Sequence, residues 1–171
     1  MLRIIRQIVA SGIPTEPAPE CNDALRVEAE RIQREILAIL GQALTVRQVD
    51  PGSCNGCELE IHALNNVIYD LERFGLRFVA SPRHADVLLV TGPVTANMRE
   101  ALERTYRATP DPKWVVAVGD CARDGGIFAP SPACVGGVAK VVPVDLHIPG
   151  CPPSPTALLR GLLALLESVS G

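Results

Sequence analysis

Two runs of this chain, Val87-Leu88-Leu89-Val90 and Val115-Val116-Ala117-Val118, are apolar at every position. A strand sends successive side chains to opposite faces, so such runs are covered on both sides. A parallel sheet with helices on each face provides that cover. The rest of the chain from residue 44 follows the same alternation. Periodicity predicts strands at Thr45–Val49, Leu76–Ala80 and around Lys140–Val142, and a further strand segment ending near Ile148. It predicts helices at Glu58–Phe74, Ala96–Ala108 and Thr156–Val169. In the first of these Leu64, Ile68 and Leu71 share a face and Gly75 closes the helix, while Pro110 ends the second. The expected fold class is α/β, a doubly wound parallel sheet over residues 44–171, with no internal repeat.

Residues 1–43 read differently, as an N-terminal helical extension. Met1, Leu2, Ile4, Ile5, Ile8 and Val9 share one helical arc, with Arg3, Arg6 and Gln7 opposite. That short amphipathic segment is either a frayed terminus or one suited to lie on a membrane or on a membrane subunit. Three prolines make residues 10–21 an extended linker. A helix is expected from Asp23 to Leu40, capped by Asn22 and ended near Gly41. Its narrow seam of Leu25, Ala29, Ile32, Ile36 and Ile39 packs on its own domain or docks on a neighbour.

Several function classes are excluded by composition. At 47% hydrophobic and 20% charged residues the chain buries a core and is not disordered. The net charge of −3 gives no basic footprint for nucleic acid, and 4% aromatics leave few platforms for single strands. Neither G-x-G-x-x-G nor G-x-x-x-x-G-K-[ST] occurs, so no nucleotide site is expected. No stretch reaches the roughly 18 apolar residues needed to cross a bilayer.

The six cysteines, at 21, 54, 57, 121, 134 and 151, carry the chemistry. Arg3 and Arg6 interrupt what would be the apolar core of a signal peptide, so thiols serving as ligands or nucleophiles are expected rather than disulfides. Cys54, Cys57, Cys121 and Cys151 all fall just beyond the carboxyl ends of strands, where an open parallel sheet places its ligand. The glycines around them leave backbone amides free to face sulfur, an arrangement suited to an iron–sulfur cluster. Three other readings stay open. A four-cysteine zinc site usually comes from two close pairs. A thioredoxin-like Cys54–Cys57 pair leaves Cys121 and Cys151 without a role. Four unrelated buried cysteines need not gather at strand ends.

Beyond spacing, the stretches Asp50-Pro-Gly-Ser-Cys-Asn-Gly-Cys-Glu-Leu-Glu-Ile, Ser81-Pro-Arg-His-Ala-Asp-Val-Leu-Leu-Val-Thr-Gly-Pro-Val-Thr, Gly119-Asp-Cys, Gly125-Gly-Ile-Phe and Ile148-Pro-Gly-Cys-Pro-Pro-Ser-Pro resemble one family. It is the small iron–sulfur subunit shared by respiratory complex I (the 20 kDa, or B, subunit) and membrane-bound nickel–iron hydrogenases. The resemblance covers about residues 45–165. It implies a flavodoxin-like domain carrying one 4Fe-4S cluster, with Cys54, Cys57, Cys121 and Cys151 in the ligand positions. Complex I subunits of this type have two adjacent cysteines, whereas this chain has Cys54-Asn-Gly-Cys57. That spacing is similar to energy-converting hydrogenases of the formate hydrogenlyase type, and it weakens the case for quinone binding.

The resemblance therefore implies an electron-transfer subunit of an oxidoreductase complex, with no complete active site of its own. Its implied partners are a nickel–iron-type large subunit, a ferredoxin-like iron–sulfur subunit and membrane subunits, with peripheral attachment to the inner face of the cell membrane. The alternative is a complex I-like NADH-quinone oxidoreductase subunit whose cluster reduces quinone. A stand-alone thiol redox enzyme using Cys54 and Cys57 is the reading from another class. Cys21 and Cys134 are expected to be free thiols and His62 a surface residue. Asp50, Glu58, Glu60 and Asp120 are expected to be caps or proton relays.

Overall fold

The computed structural model describes residues 43–170, together with Arg6, Ala10, Val27, Glu30, Arg31 and Arg34. In chain order the elements are β1 (Leu44–Val49), α1 (Gly56–Ala63), β2 (Leu76–Phe78), β3 (Val87–Thr91), β4 (Val94–Thr95), α2 (Ala96–Ala108), β5 (Trp114–Val118), α3 (Asp120–Asp124), β6 (Cys134–Gly136), β7 (Leu146–Ile148) and α4 (Pro155–Ser170). Strands β2-β1-β3-β5-β7 form one parallel sheet in that order, and β4 pairs antiparallel with β6. Counting only the parallel strands, the order is the flavodoxin-like 2-1-3-4-5, whose winding reverses between β1 and β3.

The apolar runs do what their composition predicts. From β3, Val87 and Leu89 join one core with Ile61 and Leu64 and with the leucines of α4. Leu88 and Val90 join a second core on the opposite face, with Leu102, Ala122 and Val138. All five residues of β3 are buried. Helix α2 buries only Leu102 and keeps its outer face soluble through Arg99–Glu103 and Arg104–Glu100 pairs at i,i+4. At the end of the sheet away from the cysteines, Asp86 Oδ2 accepts the Thr45 amide at 2.8 Å and Asp145 Oδ2 accepts the Val115 amide at 2.6 Å.

The structure corrects two elements. The helix expected over Glu58–Phe74 stops at Ala63, because Asn66 Oδ1 accepts the amides of Ile68 (2.8 Å) and Tyr69 (3.0 Å) in place of helical carbonyls. A 3-10 turn at Leu71–Phe74 follows. Leu64 and Leu71 are buried as expected, but Ile68 is 75% exposed. The strand expected around Lys140–Val142 is instead a 3-10 turn at Val138–Lys140, and Val142 is buried without pairing in the sheet. The edge strand is the segment expected to end near Ile148, at Leu146–Ile148. Strand β2 also ends at Phe78, short of the expected Ala80.

Of the N-terminal extension, the six described residues are helical. Arg31 forms an ion pair with Glu167 of α4, which puts that point of the expected Asp23–Leu40 helix against its own domain. The rest of that helix, its seam, the linker and the segment over residues 1–9 lie outside the described residues.

Candidate metal centre

Strand β1 runs into a loop shaped by one carboxylate. Asp50 Oδ1 accepts the amides of Gly52 (2.8 Å) and Ser53 (2.7 Å), an Asx turn. Pro51 O accepts both the amide (2.9 Å) and the hydroxyl (2.8 Å) of Thr95, tying the loop to β4. Ser53 Oγ then accepts the Asn55 amide at 3.0 Å, and Asn55 turns the chain through a left-handed conformation (φ 70°) into α1. This leaves Cys54 exposed and Cys57 buried at the start of the helix.

The loops after β5 and β7 meet this one. Gly119 donates its amide to Ile148 O at 2.8 Å, and Asp120 donates its amide to Gly150 O at 2.9 Å. His147 Nε2 lies 3.0 Å from Gly119 O; a carbonyl only accepts, so this nitrogen carries the proton. A Cβ at Gly56 would stand 3.9 Å from Pro152, and one at Gly119 would stand 2.8 Å from Cys57 Sγ. Three sequence-distant segments thus bring Cys54, Cys57, Cys121 and Cys151 to one end of the sheet.

The grouped thiols act on one another electrostatically. Burial is the first cause pushing the Cys57 thiol up to about 12, followed by the charges of Glu58, Cys54, Cys121 and Cys151. Cys121 is also raised, first by burial and then by Cys151 and Cys54, while the Ile127 backbone amide, hydrogen-bonded to its sulfur, works in the other direction. Thiolates gathered this way repel one another and need a cationic group between them.

The donor set fits an iron–sulfur cluster. It consists of four thiols, and two glycines stand where any side chain would fill the space beside the sulfurs. Gly119 (φ 86°) faces Cys57, and Gly126 (φ 52°) would place a Cβ 2.7 Å from Cys121 Sγ. Among the described residues no three His, Cys, Asp or Glu side chains converge to hold a single metal ion.

The other candidates separate from this group. Cys134 lies in β6, where a Cβ at Gly125 would meet its sulfur at 3.4 Å, and Cys21 lies outside the described residues. His62 is exposed, as expected. Asp50 shapes the loop. Glu58 is no cap: it is 4% exposed, and neither carboxylate oxygen has a hydrogen-bond partner among the described residues. Sequence reasoning missed the Thr95 tie, because β4 and β6 are too short to show a pattern.

Comparison with known proteins places the chain in a family. Residues 54–165 match the family described as NADH ubiquinone oxidoreductase, 20 Kd subunit. A probable membrane-bound hydrogenase subunit, mbhJ of Pyrococcus furiosus, is 44% identical over 149 residues, covering 87% of this chain and 89% of that protein. Formate hydrogenlyase subunit 7 of Escherichia coli is 47% identical over 139 residues, which cover 80% of this chain and 54% of that longer protein. Among solved structures, a chain of the membrane-bound sulfane sulfur reductase, an archaeal respiratory membrane complex, superposes with a TM-score of 0.68 at 34% identity, covering 81% of this chain and 75% of that one. A chain of an NAD+-reducing NiFe hydrogenase shares the fold, with a TM-score of 0.58 at 23% identity over 74% of this chain and 93% of that one.

Proposed function

Because the chain belongs to the family of the 20 kDa subunit of NADH ubiquinone oxidoreductase, we propose that it is the electron-transfer subunit of a membrane-associated hydrogenase-type complex, and that Cys54, Cys57, Cys121 and Cys151 hold one 4Fe-4S cluster. Such a cluster, ligated on every iron by a protein thiolate, supplies one-electron exchange. The observation that carries the reading is the convergence of four thiols from three loops at the carboxyl end of the sheet. The residues around them have separable tasks. Asp50 and Thr95 shape and hold the first loop, Gly119 and Gly126 keep side chains away from sulfur, and the Ile127 amide offsets charge on Cys121. Burial of Cys57 keeps water from one side of the site.

Two relatives named for hydrogenase-type complexes support that reading over a quinone-reducing subunit. The partners would be a nickel–iron-type large subunit, a ferredoxin-like iron–sulfur subunit and membrane subunits. Among the described residues no helix is long and apolar enough to cross a membrane, which is consistent with peripheral attachment through those partners at the inner face of the membrane. Anaerobic purification with iron, acid-labile sulfide and zinc assays tests the proposal. Iron and sulfide matching one 4Fe-4S cluster per chain are expected; stoichiometric zinc without sulfide overturns it.

A further inference from the structure

We propose that Asp120 is a positioning residue that clamps the turn bearing Cys151 onto the helix bearing Cys121, and that its charge holds down the reduction potential of the site. The second half rests on the reading that the four thiolates hold a cluster; the first rests on geometry alone.

Asp120 and Gly150 exchange two hydrogen bonds across 30 residues of chain. The Asp120 amide donates to Gly150 O at 2.9 Å, and the Gly150 amide donates to Asp120 Oδ1 at 3.2 Å. The second bond matters because of what surrounds it. Pro149, Pro152 and Pro153 have no amide hydrogen, so only Gly150 and Cys151 can tie this turn through an N–H. Gly150 itself cannot help with a side chain: at φ 138°, a Cβ there would lie 2.6 Å from Pro153 Cα. Asp120 therefore supplies the side-chain anchor that the turn lacks, one residue from Cys121. Its carboxylate also stands beside two of the four cysteines, next in sequence to Cys121 and hydrogen-bonded to the amide that precedes Cys151. A negative charge placed there disfavours an added electron, because net charge near the sulfurs sets the potential.

Asparagine keeps an acceptor oxygen and removes the charge, whereas alanine removes both. Asp120→Asn and Asp120→Ala are compared with wild type in the full chain, purified anaerobically with its co-expressed neighbours. The readouts are hydrogen exchange at the Gly150 amide, the rate of iron loss to a chelator, and a potentiometric titration followed by electron paramagnetic resonance. In Asp120→Ala, Gly150 exchange should rise about tenfold, as expected for a lost hydrogen bond to a charged acceptor, and iron should leave faster. In Asp120→Asn, exchange and iron retention should match wild type, while the midpoint potential moves up. Unchanged Gly150 exchange in Asp120→Ala overturns the clamp. An unchanged potential in Asp120→Asn overturns the charge role. Should wild type carry zinc and no sulfide, the cluster reading and the potential role fall together, and the exchange comparison still decides the clamp.

Discussion

Gly119 and Cys57 lie so close that a methyl group on the first would stand 2.8 Å from the sulfur of the second. The backbone at Gly119 also has φ 86°, in the region that favours glycine. Gly119→Ala should therefore destabilise the cluster-free chain by about 1–3 kcal/mol through backbone strain alone. It should also displace Cys57 and lower the iron content. Urea unfolding and an iron assay on the same preparation check both.

The ligand set has its own test. Cys54→Ser, Cys57→Ser, Cys121→Ser and Cys151→Ser should each remove or strongly perturb the cluster spectrum. Cys134, placed in β6 against Gly125, and Cys21 should tolerate serine with the spectrum intact. Loss of the cluster in either of the last two would show that a different set of sulfurs binds iron.

Thiol reactivity should rank the cysteines of the cluster-free chain. Cys54 and Cys151 are exposed, whereas Cys57 is buried and raised from 9.0 to about 12. Alkylation at pH 8 should therefore label Cys54 and Cys151 early and Cys57 last, because the thiolate is the nucleophile. The same shift fixes a sign for stability. Below pH 9 the thiol is protonated in both folded and unfolded chains, and its contribution is fully present. As the pH climbs towards 12 the unfolded chain ionises first, so the contribution is lost. Denaturant midpoints measured across that window should fall less in Cys57→Ala than in the parent.

Leu102 provides a contrast remote in kind from the cysteines. It is the one buried residue of α2 and belongs to the core on the face away from α1 and α4. Leu102→Ala should cost about 2–5 kcal/mol in unfolding free energy and leave the cluster spectrum unchanged. A spectrum altered as much as in the cysteine variants would mean that the two faces of the sheet are not independent.

Deleting residues 1–12 should leave the cluster intact and weaken retention in the membrane fraction when partner subunits are present. The motive is the arc that Leu2, Ile5, Ile8 and Val9 would share at helical spacing, with Arg3 and Arg6 opposite. Fractionation of both forms decides it: equal retention rejects a docking role for this segment.

The parts of the fold that were legible in the sequence are those with a strong local pattern. Strand β3 is apolar from Val87 to Val90 and β5 from Trp114 to Val118, while α2 sets its one buried residue, Leu102, among charged neighbours and ends before Pro110. The break after Ala63 was not legible, because Leu64, Ile68 and Leu71 keep helical spacing while Asn66 diverts two amides to its side chain. Edge strand β7 ends at Ile148, where a strand segment was expected, but with three residues, two of them half-buried, it shows no period from which its start could be read. At the site, the convergence of the cysteines followed from their positions after strands. The buried, unpartnered carboxylate of Glu58 and the clamp from Asp120 to Gly150 did not, because both depend on which loops touch.

The edge of the sheet bears on how the site is completed. Strand β7 lies at the sheet edge, pairs among the described residues only with β5, and sets the position of the turn that carries Cys151. In chain order Cys54, Cys57 and Cys121 precede β7 and Cys151 follows it. On the proposed ligand set, the fourth side of the nest therefore closes only when this short edge strand is paired, so loosening three residues at the rim would open the site without touching the core.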